Sequence, residues 1–387
     1  MKITDLKVWL TKPEGATRTF VFLRIDTDEG ISGFGEATSS GGGGSIVVGH
    51  MVRLLRDSSV ATDFRESLIG QDPDNIDLIW HKLFRRFTGG GGHGGFVTTM
   101  LSGIDIALWD IKGKAMGRPI YKLFGGPVRD NILMYTHVAS GDPQRAAEHA
   151  KSLVAEGYTS LKTDPFAEEM SQHHRRYMRG AISGEGAARA VENIAAIREA
   201  IGPDVDLLID CHGNFNVPTA INMARKLEPY DIGWFEEPVP PNSYEALRQV
   251  KESISLPISV GERLYTRFDY VPIFKDRLAE YIMPDVVWMG GISELRKVAN
   301  MAESFYIPIS PHDASGPINI LAGAHTMMTV PNLYRLEFGR AALDVHNPLI
   351  DHPLDIRDGY LHLSDRPGLG VELDVEYLEA HSDPDWK

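Results

Sequence analysis

The chain has 387 residues, of which 43% are hydrophobic and 24% charged, as in a soluble globular protein with a sizeable core. That composition excludes a disordered, collagen-like or coiled-coil chain. The net charge of −14 opposes binding to a phosphate backbone, so nucleic acid is not an expected partner. The single cysteine, Cys211, excludes an intramolecular disulfide framework and a structural zinc site built from cysteines, which suits the cytosol.

The N-terminal segment and the hydropathy of the chain predict a cytoplasmic protein. Residues 1–7 carry charges where a signal peptide would need an apolar stretch. Because the sequence contains no run of about 18 apolar residues, no membrane span and no membrane partner are expected. An intracellular enzyme is the class of protein that fits these features.

The first 125 or so residues predict a small α+β domain. Strands are expected at 2–11, 19–26 and 31–37, and helices at 46–57, 74–87 and 97–115. Two tetraglycine runs, Gly41 to Gly44 and Gly89 to Gly92, lie between these elements. Neither run matches a P-loop or a dinucleotide-binding fingerprint. We expect both to form loops, with phosphate binding as the less favoured alternative.

From about residue 131, short apolar strands alternate with amphipathic helices, which predicts parallel strands joined by right-handed crossovers. The expected strands are 132–138, 159–163, 206–210, 232–236, 258–262, 279–285, 307–311 and 333–337. Eight such units favour a closed (β/α)8 barrel over an open sheet. We place the barrel at 126–344 and the first domain at 1–125. The tail at 345–387, with a strand-like segment at 359–363, is expected to pack back on the N-terminal strands.

Ionisable side chains stand at the ends of the predicted barrel strands. They are Lys162 and Asp164, Asp210 and His212, Glu236, Glu262, Asp285, His312 and Glu337. From Asp210 onward the steps are 26, 26, 23, 27 and 25 residues, which is one βα unit each. Every repeat therefore delivers a carboxylate or an imidazole to the C-terminal mouth of the barrel, where barrel enzymes hold their active sites. A purely structural role would place Gly, Asn, Ser or Thr there at least as often.

Three of these carboxylates, Asp210, Glu236 and Glu262, leave adjacent strands and must converge. They would repel one another unless a cation lay between them. Oxygen ligands without cysteine or clustered histidine favour Mg²⁺ over zinc. The alternative for each is a salt bridge within the barrel. Glu237 follows Glu236 directly, so strand alternation predicts that it points to the opposite side in a supporting role.

Two histidines are candidates for proton transfer. His312 ends the strand next to the one that ends in Asp285, so an Asp–His dyad is expected, in which the carboxylate fixes the tautomer and raises the basicity of the ring. His212 lies two residues beyond Asp210, near the metal site but at the rim, where it can protonate a departing hydroxyl. A hydrogen-bonded structural histidine is the alternative in both cases.

Together these segments resemble the mandelate racemase subgroup of the enolase superfamily. The motifs are Asp210-Cys211-His212-Gly213-Asn214, Phe235-Glu236-Glu237-Pro238, Gly261-Glu262-Arg263, Pro284-Asp285 and Pro311-His312, together with Gly103 to Asp110 and Pro367 to Gly370. The resemblance implies a modified TIM (β/α)8 barrel with an N-terminal α+β capping domain. It also implies a bound Mg²⁺ and abstraction of the proton α to a carboxylate, with an enediolate stabilised by the metal.

Within the subgroup the motifs look most like those of the acid-sugar dehydratases, of the galactonate and mannonate types. The resemblance implies that the enol formed by loss of the 3-hydroxyl becomes a 2-keto-3-deoxy acid. The implied roles are Mg²⁺ binding by Asp210, Glu236 and Glu262, removal of the C2 proton by His312 paired with Asp285, acid assistance by His212, and binding of substrate or the enolate oxygen by Glu337. A small-molecule sugar acid is the expected partner, and a homo-oligomer is expected by resemblance.

One departure bears on the reaction. Racemases of the subgroup carry a Lys-x-Lys pair at the end of the second barrel strand, whereas this chain has Lys162-Thr163-Asp164. A racemase needs a base on each face of the substrate carbon, so elimination of water fits better. A racemase, epimerase or cycloisomerase remains the enzymic alternative, and a weakly active binding or regulatory relative is the non-enzymic one.

The residues that set specificity are less well marked. Lys162, Asp164, Arg263 and Trp288 are candidate pocket residues. By resemblance, the stretches 12–19 and 39–45 close over the distal end of the substrate. The insertion 166–185, with His173, His174, Arg175, Arg176, Tyr177 and Arg179, lies on the active-site side. It binds a second carboxylate or sugar hydroxyls, or is simply a solvated loop, and both alternatives stay open.

Overall fold

Three antiparallel strands open the chain, β1 at Ile3–Thr11, β2 at Phe20–Thr27 and β3 at Ser32–Glu36. The structure is a computed structural model that describes residues 1–39, 43–57, 62–89, 94–170, 177–383 and 386. The centres of both predicted tetraglycine loops, and 171–176 of the predicted insertion, lie outside these residues. Pairing runs in the order β1-β2-β3, as the alternating apolar pattern predicts.

Helices cover one face of this sheet. They are α1 Gly44–Asp57, α2 Thr62–Arg65, α3 Ile76–Gly89 and α4 Gly95–Ala115, and the short α5 Ile120–Leu123 follows, with Ile120 and Tyr121 packed in the hydrophobic cluster of the barrel. The long helix α4 lies close against β3 because the facing residues lack side chains. A Cβ on Gly33 or Gly35 would collide with the carbonyl oxygen of Ala107 or Gly103. The strand and the helix therefore pack backbone to backbone.

The second part of the chain is a closed barrel of parallel strands. Its strands are β4 Ile132–His137, β5 Ser160–Thr163, β6 Asp206–Asp210, β7 Ile232–Glu236, β8 Ile258–Val260, β9 Tyr281–Ile282 and β10 Leu336–Glu337. Each pairs in parallel with the next from β4 to β9, and β10 pairs with β4. This closure confirms the predicted TIM-type barrel beside an α+β domain.

The seventh barrel position, predicted as a strand at 307–311, is reduced to isolated bridges. Ile309 bridges both Ile282 and Leu333, and His312 bridges Asp285. Pro308 and Pro311 have no N–H to donate, so a continuous ladder cannot form there. The chain still follows the barrel wall, because the nitrogen of Ser310 donates to the oxygen of Ile282 at 2.8 Å.

Helices surround the barrel. They are α6 Pro143–Ala155, α7 Ala167–Met170, α8 Gly184–Ile201, α9 Val217–Leu227, α10 Tyr244–Lys251, α11 Thr266–Asp276, α12 Gly291–Ser304 and α13 Pro317–Met327. Several begin at a side-chain cap that satisfies a free backbone N–H. Asp142, Ser183 and Asn216 accept hydrogen bonds from the third residue after them. In the part of the chain that the structure describes, no helix is long and apolar enough to cross a membrane.

The C-terminal tail contacts both parts of the molecule. It contains α14 Leu343–His346, β11 Asp355–Arg357, β12 Tyr360–His362 and α15 Val375–Ala380. The segment expected to pack on the N-terminal strands forms a hairpin that pairs instead with β4 of the barrel. The first residues of β4, Ile132 and Leu133, can take this partner because β10 pairs with the later residues Met134 and Tyr135. The end of the tail does reach β1, through a bridge between Thr11 and Ser382.

Candidate active site

A cavity of about 350 Å³ opens at the C-terminal ends of the barrel strands. Its walls include Arg18, His137, Lys162, Asp164, Asp210, His212, His312, Asp313 and Glu337. A second cavity of about 350 Å³ adjoins it under the N-terminal segment 15–20 and shares Arg18, His137 and Asp313 with it. The predicted residues Glu236, Glu262 and Asp285 are buried and contact residues of the wall.

His312 and Asp285 form the predicted pair. Nδ1 of His312 lies 2.8 Å from Oδ2 of Asp285. The other oxygen of Asp285 accepts hydrogen bonds from the backbone nitrogens of Val287 and Trp288, at 2.8 and 3.2 Å. The carboxylate is thus held from several sides, and it places the proton of the ring on Nδ1. Nε2 of His312 takes no part in this pair and contacts other groups.

Nε2 of His312 faces Glu262, with 2.7 Å between it and Oε2. A guanidinium nitrogen of Arg263 lies 2.6 Å from Oε1 of the same carboxylate. Burial disfavours ionisation of Glu262, but His312 and Arg263 outweigh it and hold its pKa well below the usual range. Burial likewise favours the neutral His312 ring, yet Glu262 and Glu337 raise the pKa of His312 well above its ordinary value. The two groups form an ion pair.

Glu237 does not point away from the site as strand alternation predicted. Its backbone φ is +36°, in the left-handed region that non-glycine residues rarely adopt. The chain turns there, just after β7, so the carboxylate reaches Arg263 and forms an ion pair with it. Burial raises the pKa of Glu237 to about 7, against the opposing effect of Arg263. Arg263, predicted to line the pocket, therefore bridges Glu237 and Glu262.

Lys162 stands among three carboxylates. Its Nζ lies 2.6 Å from Glu337, 3.0 Å from Glu236 and 3.4 Å from Asp210. Burial favours the neutral amine, but these charges raise the pKa of Lys162 well above its usual value. His137 adds a contact of 2.6 Å to Glu337. Glu337 is accordingly held ionised, with its pKa well below the usual range despite burial.

His212 has a carboxylate on either side. Nδ1 lies 2.8 Å from Oδ2 of Asp164, and Nε2 lies 3.3 Å from Oδ2 of Asp210. Burial favours the neutral ring, but Asp210 and Asp164 outweigh it and raise the pKa of His212 to about 9. The backbone of His212 has a φ of +50°, a strained conformation of the kind that collects at functional sites. The ring is a proton donor at neutral pH.

The three predicted metal ligands lie on consecutive strands but point to different partners. Asp210 and Glu236 are Cα neighbours in the β6–β7 register, and Glu262 follows β8 two residues after its end. Glu236 accepts from Lys162 and from the indole of Trp234, both at 3.0 Å. As the side chains stand, no three His, Cys, Asp or Glu among the described residues enclose a metal position. Each of the three carboxylates instead forms an ion pair with a cationic side chain.

Two comparisons identify the family. The model described as mandelate racemase / muconate lactonizing enzyme, N-terminal domain, matches residues 11–125, and the one described as enolase C-terminal domain-like matches 145–378. The chain belongs to the mandelate racemase/muconate lactonizing enzyme family. The membership places it in the enolase superfamily, as the motifs at the strand ends predicted.

Relatives within this family cover nearly the whole chain. The chain is 33% identical to the D-xylonate dehydratase of Haloferax volcanii, over 98% of this chain and 89% of that protein. It is 32% identical to the D-galactonate dehydratase of Variovorax paradoxus, over 100% and 96%. A solved structure of a member of the enolase superfamily from Salmonella Typhimurium superposes with a TM-score of 0.89 at 32% identity, over 98% and 97%. The predicted resemblance to acid-sugar dehydratases is confirmed.

The structure places one predicted pocket residue elsewhere and adds two residues to the site that the sequence analysis missed. Trp288, predicted to line the pocket, is buried behind His312, with ring centres 5.0 Å apart, and its indole donates to Thr38 at 2.8 Å. His137 was not among the candidates, although it ends the first barrel strand. Extending the search for ionisable residues at strand ends to this strand would have found it. Asn319, which donates to Asp285 at 3.2 Å, lies on a helix, where no strand-end rule applies.

Proposed function

We propose that the chain is a Mg²⁺-dependent dehydratase of an aldonate or aldarate, which removes the C2 proton and eliminates the 3-hydroxyl to give a 2-keto-3-deoxy acid. One observation carries the proposal. His312 and His212 line the same cavity, and each is hydrogen-bonded to its own aspartate, Asp285 and Asp164. The names of the relatives, D-xylonate and D-galactonate dehydratase, support the same reaction and substrate class.

The donor set of the site fits a divalent metal ion. Asp210, Glu236 and Glu262 supply three buried carboxylates from adjacent strands, which is the oxygen donor set that a hard divalent cation takes. Burial, followed by the charge of Asp210, raises the pKa of Glu236, so further positive charge is favourable there. Hard oxygen donors favour Mg²⁺. When bound, the ion would supply positive charge that stabilises the enediolate.

The side chains account for the proton transfers. His312 accepts the C2 proton on Nε2 while Asp285 holds the proton on Nδ1, and the electron pair moves into the substrate carboxyl group to form the enediolate. The protonated ring of His312 must first release its Nε2 proton to solvent and separate from Glu262, because a base needs a free lone pair. Lys162, which lies beside Glu337 and Glu236, provides a fixed positive charge for the substrate carboxylate.

His212 completes the elimination. The electron pair of the enediolate returns to form the C2–C3 double bond, the C3–O bond breaks, and the proton of His212 leaves with the hydroxyl as water. The enol then takes up a proton at C3 and becomes the 2-keto acid. A racemase would need a second base opposite His312. Here the second histidine is held as an acid between Asp164 and Asp210, which disfavours racemisation.

The experiment is a keto-acid assay with Mg²⁺ over D-galactonate, D-gluconate, D-xylonate and a set of aldarates. We expect one or a few substrates to be turned over, and His312→Asn to abolish the product. His352→Asn is the matched control, because His352 is exposed in the C-terminal tail, and it should keep full activity. Exchange of the C2 proton for deuterium with inversion but without keto acid would favour a racemase or epimerase. A thermal shift with metal but no turnover would favour a binding protein.

Two further expectations belong to the proposal. We propose a cytoplasmic location, which agrees with the net charge of −14 and the single cysteine. A homo-oligomer with an even number of subunits is also proposed. Light scattering on the purified protein measures its mass against 42.9 kDa for one chain, and a mass of one chain would contradict the oligomer.

A further inference from the structure

The carboxylate of Glu36, at the end of β3, is inserted into the barrel. It is fully buried and accepts hydrogen bonds from the backbone nitrogens of Gly316, at 2.6 Å, and Asn319, at 3.2 Å. These nitrogens belong to the start of α13, where backbone N–H groups lack the carbonyl partner four residues earlier that the helix interior provides. A side chain at position 316 would not fit, because its Cβ would lie 2.8 Å from the carboxylate. Glu36 therefore fixes where α13 begins.

The side chain of Asn319 extends from the same helical turn to the catalytic pair. Its Nδ2 lies 3.2 Å from Oδ2 and 3.4 Å from Oδ1 of Asp285. All three residues of this contact, Asn319, Asp285 and His312, are at most 6% exposed. The backbone donors at Val287 and Trp288 hold Oδ1 of Asp285, and the amide of Asn319 is a second side-chain donor to the carboxylate beside Nδ1 of His312. The orientation of the Asp285 carboxylate depends on the backbone donors and on the amide of Asn319.

A second contact links the N-terminal domain to the same pair. The carbonyl oxygen of Thr38, two residues after Glu36, accepts from the indole of Trp288 at 2.8 Å and from Oγ of Ser315 at 3.4 Å. Trp288 follows Asp285, and Ser315 follows His312, each by three residues. The end of β3 thus touches both segments that carry the pair.

We propose that Asn319 and Glu36 are positioning residues for the base: Glu36 fixes the first turn of α13, and Asn319 on that turn holds Asp285 in the orientation that sets the ring of His312. The inference rests on the proposed function, in which His312 removes the C2 proton. It assigns part of the geometry of the base to the N-terminal domain, so that docking of this domain on the barrel and the competence of the base are coupled.

The chain offers a matched control for Glu36. Asp105 on α4 also crosses from the N-terminal domain to the start of a barrel helix, and it accepts from the nitrogen and Oγ of Ser293 at 2.9 and 2.5 Å. Burial raises the pKa of both Glu36 and Asp105 to about 7. Both of these hydrogen bonds come from Ser293 on α12, away from the His312 pair. A variant of Asp105 therefore reports the cost of weakening the domain contact alone.

The test compares Asn319→Leu, Glu36→Gln, their double variant and Asp105→Asn on whichever sugar acid the wild type turns over. Leucine has nearly the shape of asparagine but cannot donate to Asp285. We expect Asn319→Leu to lower kcat by about 10- to 100-fold, the usual effect of losing a hydrogen bond to a charged group, with KM changed less than about threefold. Asp105→Asn should lower the unfolding temperature and leave kcat within about twofold. Should the leucine variant not fold, Asn319→Ala makes the same deletion.

The double variant shows whether Glu36 and Asn319 affect kcat through the same contact or independently. If Glu36 acts through Asn319, the double variant loses no more kcat than Asn319→Leu does alone. Losses that multiply would overturn the role of Glu36. A kcat of Asn319→Leu within about twofold of wild type, with only a lower unfolding temperature, would overturn the role of Asn319.

A spectroscopic readout keeps this test apart from the proposed function. The proton between Nδ1 of His312 and Asp285 gives a low-field NMR resonance, which His312→Asn assigns by removing it. Asn319→Leu should shift or broaden that resonance, and Asp105→Asn should leave it unchanged. Absence of turnover on every sugar acid would contradict the proposed function, while the resonance would still decide whether Asn319 positions the pair.

Discussion

Nδ1 of His212 lies 2.8 Å from Oδ2 of Asp164, two residues after Lys162 on the second barrel strand. Racemases of the resembling subgroup carry a second lysine at the position of Asp164, where it is a base. In this chain the position supplies a carboxylate partner for a histidine. The site therefore has two Asp–His pairs, and Asp164 supports a protonated His212 where a racemase would have a second base. This arrangement favours elimination.

Asp164→Asn should slow the loss of the 3-hydroxyl more than the removal of the C2 proton. Without the carboxylate the ring of His212 loses a charged hydrogen bond and part of the charge that keeps it protonated. We expect the rate of keto-acid formation to fall by about 100-fold, within the range of a general acid. NMR of unconverted substrate in D₂O should then show more deuterium at C2 per product formed than with wild type.

Asp355→Asn is the control for this variant. Asp355 lies on the exposed hairpin and pairs with Arg357, so its loss should leave both rates unchanged. Equal slowing of exchange and product formation by Asp164→Asn would contradict the assignment, because it would mean that Asp164 acts before or during removal of the C2 proton.

Lys162→Met should destabilise the metal-free protein. Glu236, Glu337 and Asp210 would lose their common cation in a buried site, and an uncompensated buried charge costs about 3–5 kcal/mol. Urea unfolding measures the loss. Lys112→Met, on a half-exposed ion pair with Asp74, should cost about 1 kcal/mol or less. If the two variants were equally stable, the carboxylates around Lys162 would have to be protonated already.

The sequence predicted the strand ends because the barrel has a simple rule. Parallel βα units bring the last residue of every strand to one rim, so the step of 26 residues that separates Asp210 from Glu236 and Glu236 from Glu262 was enough to place them together. The same rule places His137 at the rim, because it is the last residue of β4. The shortened seventh strand also had a signal, in Pro308 and Pro311.

Pairing among the side chains could not be predicted in the same way. With many carboxylates at one rim, spacing does not say which of them Lys162 or His312 will contact, because rotamers and local charge decide it. The turn at Glu237 depends on a positive backbone φ, which a glutamate in the sequence does not predict. Asn319 and Glu36 are distant in sequence from the strand ends they support. Their contacts follow from how two domains dock, which no local pattern encodes.

Mg²⁺ should raise the unfolding temperature of the wild type, because a ligand that binds only the folded state stabilises it by mass action. Asp210→Asn should remove most of this shift by taking one carboxylate from the proposed ligand set. Asp206→Asn is a matched control at the other end of the same strand, where Asp206 pairs with Arg335. That variant should be less stable at every Mg²⁺ concentration yet keep the full shift. A shift that survives Asp210→Asn would contradict the proposed ligand.

A histidine outside the active site should contribute stability that is lost in acid. His325 on α13 is 1% exposed, its Nε2 donates to the carbonyl oxygen of Leu369 at 3.0 Å, and burial lowers its pKa to about 4. The unfolded chain takes up a proton near pH 6.5, whereas the folded chain does so only near pH 4. The contribution of His325 to the free energy of unfolding therefore decreases as the pH falls from about 6.5 to about 4, by up to about 3 kcal/mol.

Urea unfolding of wild type and His325→Gln between pH 4.5 and 8 isolates this contribution. Glutamine keeps an amide donor for Leu369 but does not titrate, so the variant should lose less stability than wild type between pH 6.5 and 4.5. Comparing the two curves is necessary because the raised pKa values of Glu36 and Asp105 act in the opposite direction, lowering stability as the pH rises through the same range. His352→Gln, on the surface, should reproduce the wild-type curve. Parallel curves for wild type and His325→Gln would mean that the buried ring accepts a proton without unfolding.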